Sequence, residues 1–474
     1  MRRFILGALS CSVPAMAGAN GLLDTYHLAQ QQDQTFQAAL HQRDASIETK
    51  PQAWSALLPQ LSGTGGWERD RLHVYQSGGV SLNTAGPTPQ TAIDWYTTRS
   101  YQLNLSQTLF NWSAFEAVAQ SDQQVAEAEA TFRSAEQSLI SRTASAYFAV
   151  LSAQDTLRAD LDAQTSFKQQ LLEARKKFDV GLAAITDVRN AQAAYDSGTS
   201  AVITDRATMD NAKRALELIV GQPVSAIASL HEDIPLVSPN PADAGQWSKS
   251  AGTDNPDLMT AFYAAESARK QVAVYRAKYL PTVAASGTLN RSDSHSAFGA
   301  DTLDDAYALT VTWNIFQGGL VQSQVRQAAA TYQQNLAQYE LQRRTVDQNT
   351  RNDYEGVVSG IAAVKANKLA VVSNQTSVDA TSVGLRVGTQ TEINLLTARQ
   401  ALAAAQKSYY QSRYGYLNSF LALKQDAGRL SEFDLEDIDR LVDKEPTPSP
   451  AVSEAETVID STDPSAIAPA PTKP

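Results

Sequence analysis

KFDVGLAAITDVRNAQAAYD, residues 177–196, returns in altered form as LRVGTQTEINLLTARQALAAAQ, residues 385–406. Gly181 and Gly388 hold matching places, 207 residues apart. Each glycine lies between two long proline-free stretches of helical pattern. Glycine accepts the left-handed conformation that ends a helix, so each copy predicts a tight turn joining two long helices. After the first turn Val188, Tyr195, Val202, Met209 and Leu216 recur every seven residues, and Leu395, Leu402, Tyr409, Tyr416 and Leu423 repeat them. Before the turns Val150, Leu157, Gln164, Leu171 and Phe178 are echoed by Val357, Val364, Val371, Val378 and Leu385. A strict period of seven predicts coiled-coil packing with a left-handed supercoil. The step from Leu139 to Val150, like that from Val346 to Val357, is eleven residues, a stutter that relaxes the supercoil locally.

The duplication extends outward. Residues 24–58 and 255–280 predict helices that close before Pro59 and Pro281. After each proline the period changes from helix to strand, at 61–67 and at 283–289. Polar loops rich in Gly, Ser, Thr and Asp follow, at 68–96 and 290–305, and then return strands. In the second return strand Tyr307, Leu309, Val311, Trp313 and Ile315 alternate with small or polar residues; Tyr101, Leu103 and Leu105 do so in the first. Such alternation means one apolar face and one polar face. Strands of about ten residues with aromatic ends suit a tilted span of a β-barrel membrane protein. Trp67, Trp95, Tyr96, Tyr101, Tyr307, Trp313 and Phe316 are the expected girdle. Four strands cannot close a barrel, so the chain is expected to oligomerise, and three copies give twelve strands, an even number.

These readings divide the chain. Residues 1–19 read as a signal peptide, with Arg2 and Arg3 ahead of a short apolar run. Residues 20–220 are the first α-β-β-α repeat and 255–423 the second. Segments 221–254 and 424–444, with prolines, glycines and short amphipathic pieces, are expected to form an equatorial belt. Residues 445–474 hold five acidic residues and seven of the 18 prolines, a composition that cannot bury a core, so a disordered tail is expected. The single cysteine, Cys11, lies in the signal peptide, which leaves the mature chain without disulfides. No later stretch reads as a membrane-spanning helix. The helix over 113–178 has a length of roughly 100 Å at about 1.5 Å per residue.

Net charge is −11, and lysines and arginines read as scattered with no basic patch, which argues against a nucleic-acid partner. The five histidines are dispersed without metal spacing, and no nucleophile-elbow, phosphate-loop or dinucleotide motif occurs. No enzyme chemistry, metal or cofactor is expected.

The paired turns, together with RDA (43–45), LLPQL (57–61), TASAYFAVL (143–151), FDVGLAAITDVRNAQAAYD (178–196), YLPT (279–282), FQGG (316–319) and SQVRQA (323–328), resemble the TolC family of outer-membrane efflux ducts. The resemblance runs from about residue 22 to 441. It implies an α+β membrane protein: a homotrimer whose twelve-stranded β-barrel, four strands per chain, sits in outer-membrane lipid and continues as an α-helical coiled-coil barrel through the periplasm of a Gram-negative bacterium. It also implies docking to a periplasmic adaptor and an inner-membrane transporter of the RND, ABC or MFS type, for drug efflux or type I protein secretion. Thr186 and Asp187 match the family's first-turn gate residues. Leu385 and Gln390 stand where its best-known members have a tyrosine and an arginine. Asn394 and Thr397 stand where the family places the two aspartates of its pore constriction, so a weaker cation preference is expected. Glu392, two residues from Asn394, is expected to point elsewhere. A non-conducting trimeric coiled coil on the cell surface is the alternative from another class.

Overall fold

The computed structural model describes residues 21–75, 91–224, 227–231, 233–294 and 301–443. The expected signal peptide and acidic tail lie outside them. In chain order the elements are α1 (Leu22–Gln32), α2 (Gln34–Ile47), α3 (Thr49–Ser55), β1 (Gln60–Tyr75), β2 (Thr91–Phe110), α4 (Trp112–Asp179), α5 (Ile185–Val220), β3 (Ser229–Leu230), α6 (Ala244–Asp254), α7 (Pro256–Ala277), β4 (Thr282–Ser294), β5 (Thr302–Thr312), α8 (Leu320–Arg386), α9 (Glu392–Asp426), α10 (Glu432–Asp439) and β6 (Val442–Asp443). The long helices fall within a few residues of their expected ends. The described residues divide into two compact units, one within 21–37, 136–251 and 349–443, the other within 38–135 and 252–348.

The first departure from expectation is at 24–58, where three helices replace one. Pro51 has no N–H to offer the carbonyl of Ile47, so α2 ends there, and the proline is tolerated in the first turn of α3. The break at Asp33 has another origin. Its carboxylate caps α2 by accepting from the Phe36 N–H at 2.6 Å and is held by both terminal nitrogens of Arg142, at 3.1 and 3.2 Å. Burial pushes the Asp33 carboxyl up, but these bonds outweigh it and hold its pKa below the ordinary value. Asp33→Ala removes a cap and leaves Arg142 without its anion. It is expected to cost about 3 kcal/mol, read as a lower urea midpoint in circular dichroism.

In the first unit the heptads close the core. Val150, Leu157, Leu171, Val202, Leu216, Val357, Val364, Leu395, Tyr416 and Leu423 are buried, while Phe178 is exposed. Met209 and Val202 pack on Leu157 and Ala153, and Leu171 packs on Ala174 and Ala191. The equatorial segments meet through a two-stranded ladder that pairs β3 with β6, Ser229 opposite Asp443 and Leu230 opposite Val442. Tyrosines anchor them to the long helices: Tyr147 Oη donates to the Ala228 carbonyl at 2.9 Å, and Tyr416 Oη accepts from the Val237 N–H at 2.9 Å. Arg413, 2% exposed, stacks against Tyr409 and Tyr414 and donates to the His231 carbonyl.

A window of α8 is long and apolar enough to cross a membrane by composition, contrary to the sequence reading. Val358, Leu369, Val372 and Val383 are exposed on one stripe of this helix. They are separated by steps of eleven, three and eleven residues, which return to one face of a helix.

In the second unit the four long strands form one antiparallel sheet in the order β1-β2-β4-β5. Directly opposed residues share a face. One face carries Leu61, Trp67, Tyr101, Leu103, Leu105, Leu289, Tyr307, Leu309 and Val311, all exposed. The other carries Ser62, Thr64, Gln102, Asn104, Thr288, Asn290 and Thr310. Tyr96 pairs with Asp70 and lies on the polar face, not in the expected girdle. Strand β5 ends at Thr312, so Trp313 and Ile315 fall in the connection to α8, where Gly318 and Gly319 take positive φ. Outer edges of β1 and β5 pair with no other described strand.

Candidate functional site

The two hairpin turns have the geometry their glycines predict. Gly181 and Gly388 take φ of 75° and 80°. Leu182 N–H donates to the Lys177 carbonyl at 2.7 Å, and Thr389 N–H to that of Gly384 at 2.9 Å, closing both helix ends. Val180, Leu182 and Val387 are exposed at the tips.

The gate candidates spend their polar groups locally in one chain. Asp187 accepts from the Ala184 N–H at 3.3 Å, capping its own helix, and Thr186 is exposed. Gln390 Oε1 accepts from Asn394 Nδ2 at 2.7 Å, and Thr397 Oγ1 donates to the Ile393 carbonyl one turn back. Leu385 is half-buried, as are Val371 and Val378 before it. Asn394 and Thr397 are both exposed, one turn apart, and the buried Leu395 and Leu396 between them point inward. The structure therefore brings Gln390 and Asn394 together within a chain and leaves Asp187 and Gln390 in separate turns.

What the sequence reading missed is a ladder of polar links between α4 and α9. Glu392 points away from Asn394, as expected, but it is far from idle: it is 8% exposed and accepts from Lys177 Nζ at 2.7 Å and Gln170 Nε2 at 3.0 Å. Further along, Arg399 donates to the Ser166 carbonyl at 2.7 Å. Lys407 then meets Asp160 at 2.5 Å and Asp205 of α5 at 3.3 Å. Tyr414 Oη donates to Asp155 at 2.7 Å. Burial raises the Asp155 pKa, and it pushes Asp160 up to about 6 with help from its hydrogen bond to Asp205, against the pull of Lys407. The available signal was the placement of charges beside heptad positions, where coiled coils put their interhelical pairs. Among the described residues no group of three or more His, Cys, Asp or Glu could hold a metal ion.

A four-stranded sheet with one exposed apolar face, two strands from each copy of a duplicated long-helix hairpin, is the fold of an outer-membrane channel. It matches VceC of Vibrio cholerae with a TM-score of 0.72 at 20% identity, over 86% of this chain and 96% of that one. It also matches CmeC of Campylobacter jejuni with a TM-score of 0.72 at 18% identity, over 92% and 95%. The family model described as "Outer membrane efflux protein" matches residues 25–222 and 247–429, and the chain belongs to that family. Among its relatives, the outer membrane protein TolC of Escherichia coli is 31% identical over 445 residues, 91% of this chain and 87% of that protein. The alkaline protease secretion protein AprF of Pseudomonas aeruginosa is 30% identical over 451 residues, 92% and 91% of the two chains. The chain is an outer-membrane protein and an exit duct for drug efflux or protein secretion.

Proposed function

We propose that three copies of this chain close a twelve-stranded barrel in the outer membrane, continued by their helices as a duct through the periplasm. The carrying observation is the sheet itself. Its apolar face is exposed, and the outer edges of β1 and β5 pair with no other described strand. In lipid an open edge leaves unpaired backbone groups at several kcal/mol each, which pairing β1 of one copy with β5 of the next removes. The exposed apolar stripe of α8 supports the same assembly, since it needs a neighbour. The exit duct works in tripartite export, with a periplasmic adaptor and an inner-membrane transporter at the helical end. The turns at Gly181 and Gly388 form its closed tip, with Thr186, Asp187, Leu385 and Gln390 at the gate. Asn394 and Thr397 face the threefold axis.

Planar-bilayer recording tests both the duct and its lining. Discrete channels from a detergent-stable trimer are expected; a trimer that never conducts would instead be a structural coiled coil. A ring of carboxylates on the axis attracts cations, and Asn394 and Thr397 are neutral. The unmodified channel is expected to show weak cation preference, and Asn394→Asp with Thr397→Asp to shift the reversal potential strongly toward that of a cation-selective pore. An unchanged potential would place the ring on other residues.

A further inference from the structure

Along the chain the arginines look scattered, but the sheet register corrects this. Arg69, Arg71, Arg99 and Arg291 all fall on the apolar face. Arg99 lies opposite Trp67 and Asp293, Arg291 opposite Tyr101 and Leu303, and Arg71 opposite Trp95. Guanidinium groups of Arg69 and Arg71 stand 5.6 and 5.3 Å from the Trp95 ring. Arg291 pairs with Asp293 at 3.2 Å. Arg69, Arg71 and Arg99 are exposed and have no acidic partner among the described residues. Asp305 is the other acidic residue of this face, opposite Leu289. Glu68 and Asp70 point to the polar face, because strand side chains alternate.

Position along the strands says what this cluster meets. From Phe110 to Tyr101 is nine residues, about 30 Å along the strand and about 23 Å in height at a tilt of roughly 40°. That matches the apolar band of an outer-membrane barrel, about 25 Å tall. Arg99 and Arg291 begin where the band ends, with Trp67, Tyr101 and Trp95 among them as an interfacial girdle. Arg69, Arg71 and Arg99, which have no acidic partner among the described residues, span about 13 Å along the strands. An arginine on the lipid face is costly at the midplane and nearly neutral at the interface, where an anion can meet it. The strand ends away from the helices face the outer leaflet, on the barrel reading proposed above.

We propose that Arg69, Arg71 and Arg99, backed by Trp67 and Trp95, form a binding site for the phosphorylated headgroup of an outer-leaflet glycolipid. The chemistry fits. A guanidinium binds a phosphate through two parallel hydrogen bonds, and it stays charged while stacked on an indole. The girdle tryptophans hold the acyl boundary beside it. A free phosphate would gain nothing from the apolar surface directly below the cluster, whereas a lipid buries its chains there.

The test uses the full chain in detergent, titrated with bis-phosphorylated lipid A and followed by native mass spectrometry and thermal melting. Each arginine near an anionic surface contributes about fivefold in affinity. The triple change Arg69→Gln, Arg71→Gln and Arg99→Gln is therefore expected to weaken lipid retention about a hundredfold. The triple change to lysine keeps the charge and is expected to lose much less. Equal retention of lipid A stripped of its phosphates, or equal retention by the glutamine variant with its strand signal intact, would overturn the proposal. Displacement by millimolar inorganic phosphate would make the ligand a free anion and also overturn it. Quenching of tryptophan emission by brominated lipid, compared with Trp67→Phe, checks the barrel reading separately. Quenching lost in Trp67→Phe places Trp67 in lipid, and absent lipid A binding then sinks the glycolipid site alone. No contribution from Trp67 sinks both.

Discussion

Glu392→Ala is expected to raise the conductance of the resting channel more than alanine at Thr186, Asp187 or Gln390. The reason is what Glu392 holds. It is the first residue of α9, where the positive helix end favours its carboxylate. It receives Lys177 Nζ and Gln170 Nε2 from α4, and its side chain is 9% exposed while that of Lys177 is 41% exposed. An exposed pair is worth less than about 1 kcal/mol, and breaking a buried one costs about 3–5. This pair, half of each kind, falls at about 2 kcal/mol, and in the trimer proposed above the three copies add. The Gln390–Asn394 bond is neutral and worth about 1 kcal/mol. It also stays within one turn, so it cannot tie one hairpin to the other. Glu392 can, because α4 and α9 belong to different hairpins of the chain. Single-channel recording should show longer or larger openings in Glu392→Ala, and Lys177→Met should reproduce part of the effect. An unaltered closed state in both would mean that heptad packing alone holds the tip.

Why Glu392 was not legible, while Gly181 and Gly388 were, is a matter of range. A helix end, a heptad and a strand alternation are written within a few residues, and the duplication states each of them twice. Leu157, Val202 and Leu395 are core because of their period, and the period is local. The Lys177–Glu392 contact joins positions 215 residues apart, and Tyr414–Asp155 joins positions 259 apart. Nothing in either stretch names the other. The arginine cluster was hidden in the same way: alternation assigns Arg69 and Arg99 to a face, but only the register of β1 on β2 makes them neighbours. Pro51 is the opposite case, a local signal that was present and was overridden by the expectation of one helix like its echo at 255–280. That echo holds no proline beyond Pro256, which opens its first turn, and folds as the single helix α7. The stripe on α8 shows a further limit. Its residues are as apolar as core residues, and nothing in their local pattern tells an exposed stripe from a buried one.

Lys407→Met is expected to destabilise the protein by about 3 kcal/mol at pH 8 and by much less at pH 5. Lys407 stands between two carboxylates, Asp160 on α4 and Asp205 on α5, with side-chain exposures of 6% and 20%. Burial and the bond to Asp205 push Asp160 up to about 6, from an ordinary value of 3.8. Between those two values the native chain holds a proton that the unfolded chain releases. Stability from this group therefore falls as pH rises through the window, and the penalty is complete above it. Without the ammonium, the two carboxyl groups face each other with no cation between them. As pH falls, Asp160 takes up a proton and donates it in a hydrogen bond to Asp205, which removes the repulsion. Removing Lys407 also removes the one group that held the Asp160 pKa down, so recovery should begin at a higher pH than in the unmodified chain. The double variant Asp160→Asn with Lys407→Met keeps a donor toward Asp205 and carries no proton equilibrium at position 160. It is expected to melt close to the unmodified protein at pH 8 and to show a flatter profile. Melting followed by circular dichroism from pH 5 to 8 reads all three proteins. A loss in Lys407→Met that is the same at every pH would show that the lysine acts through its aliphatic stem against α4 and α5, and not through its charge.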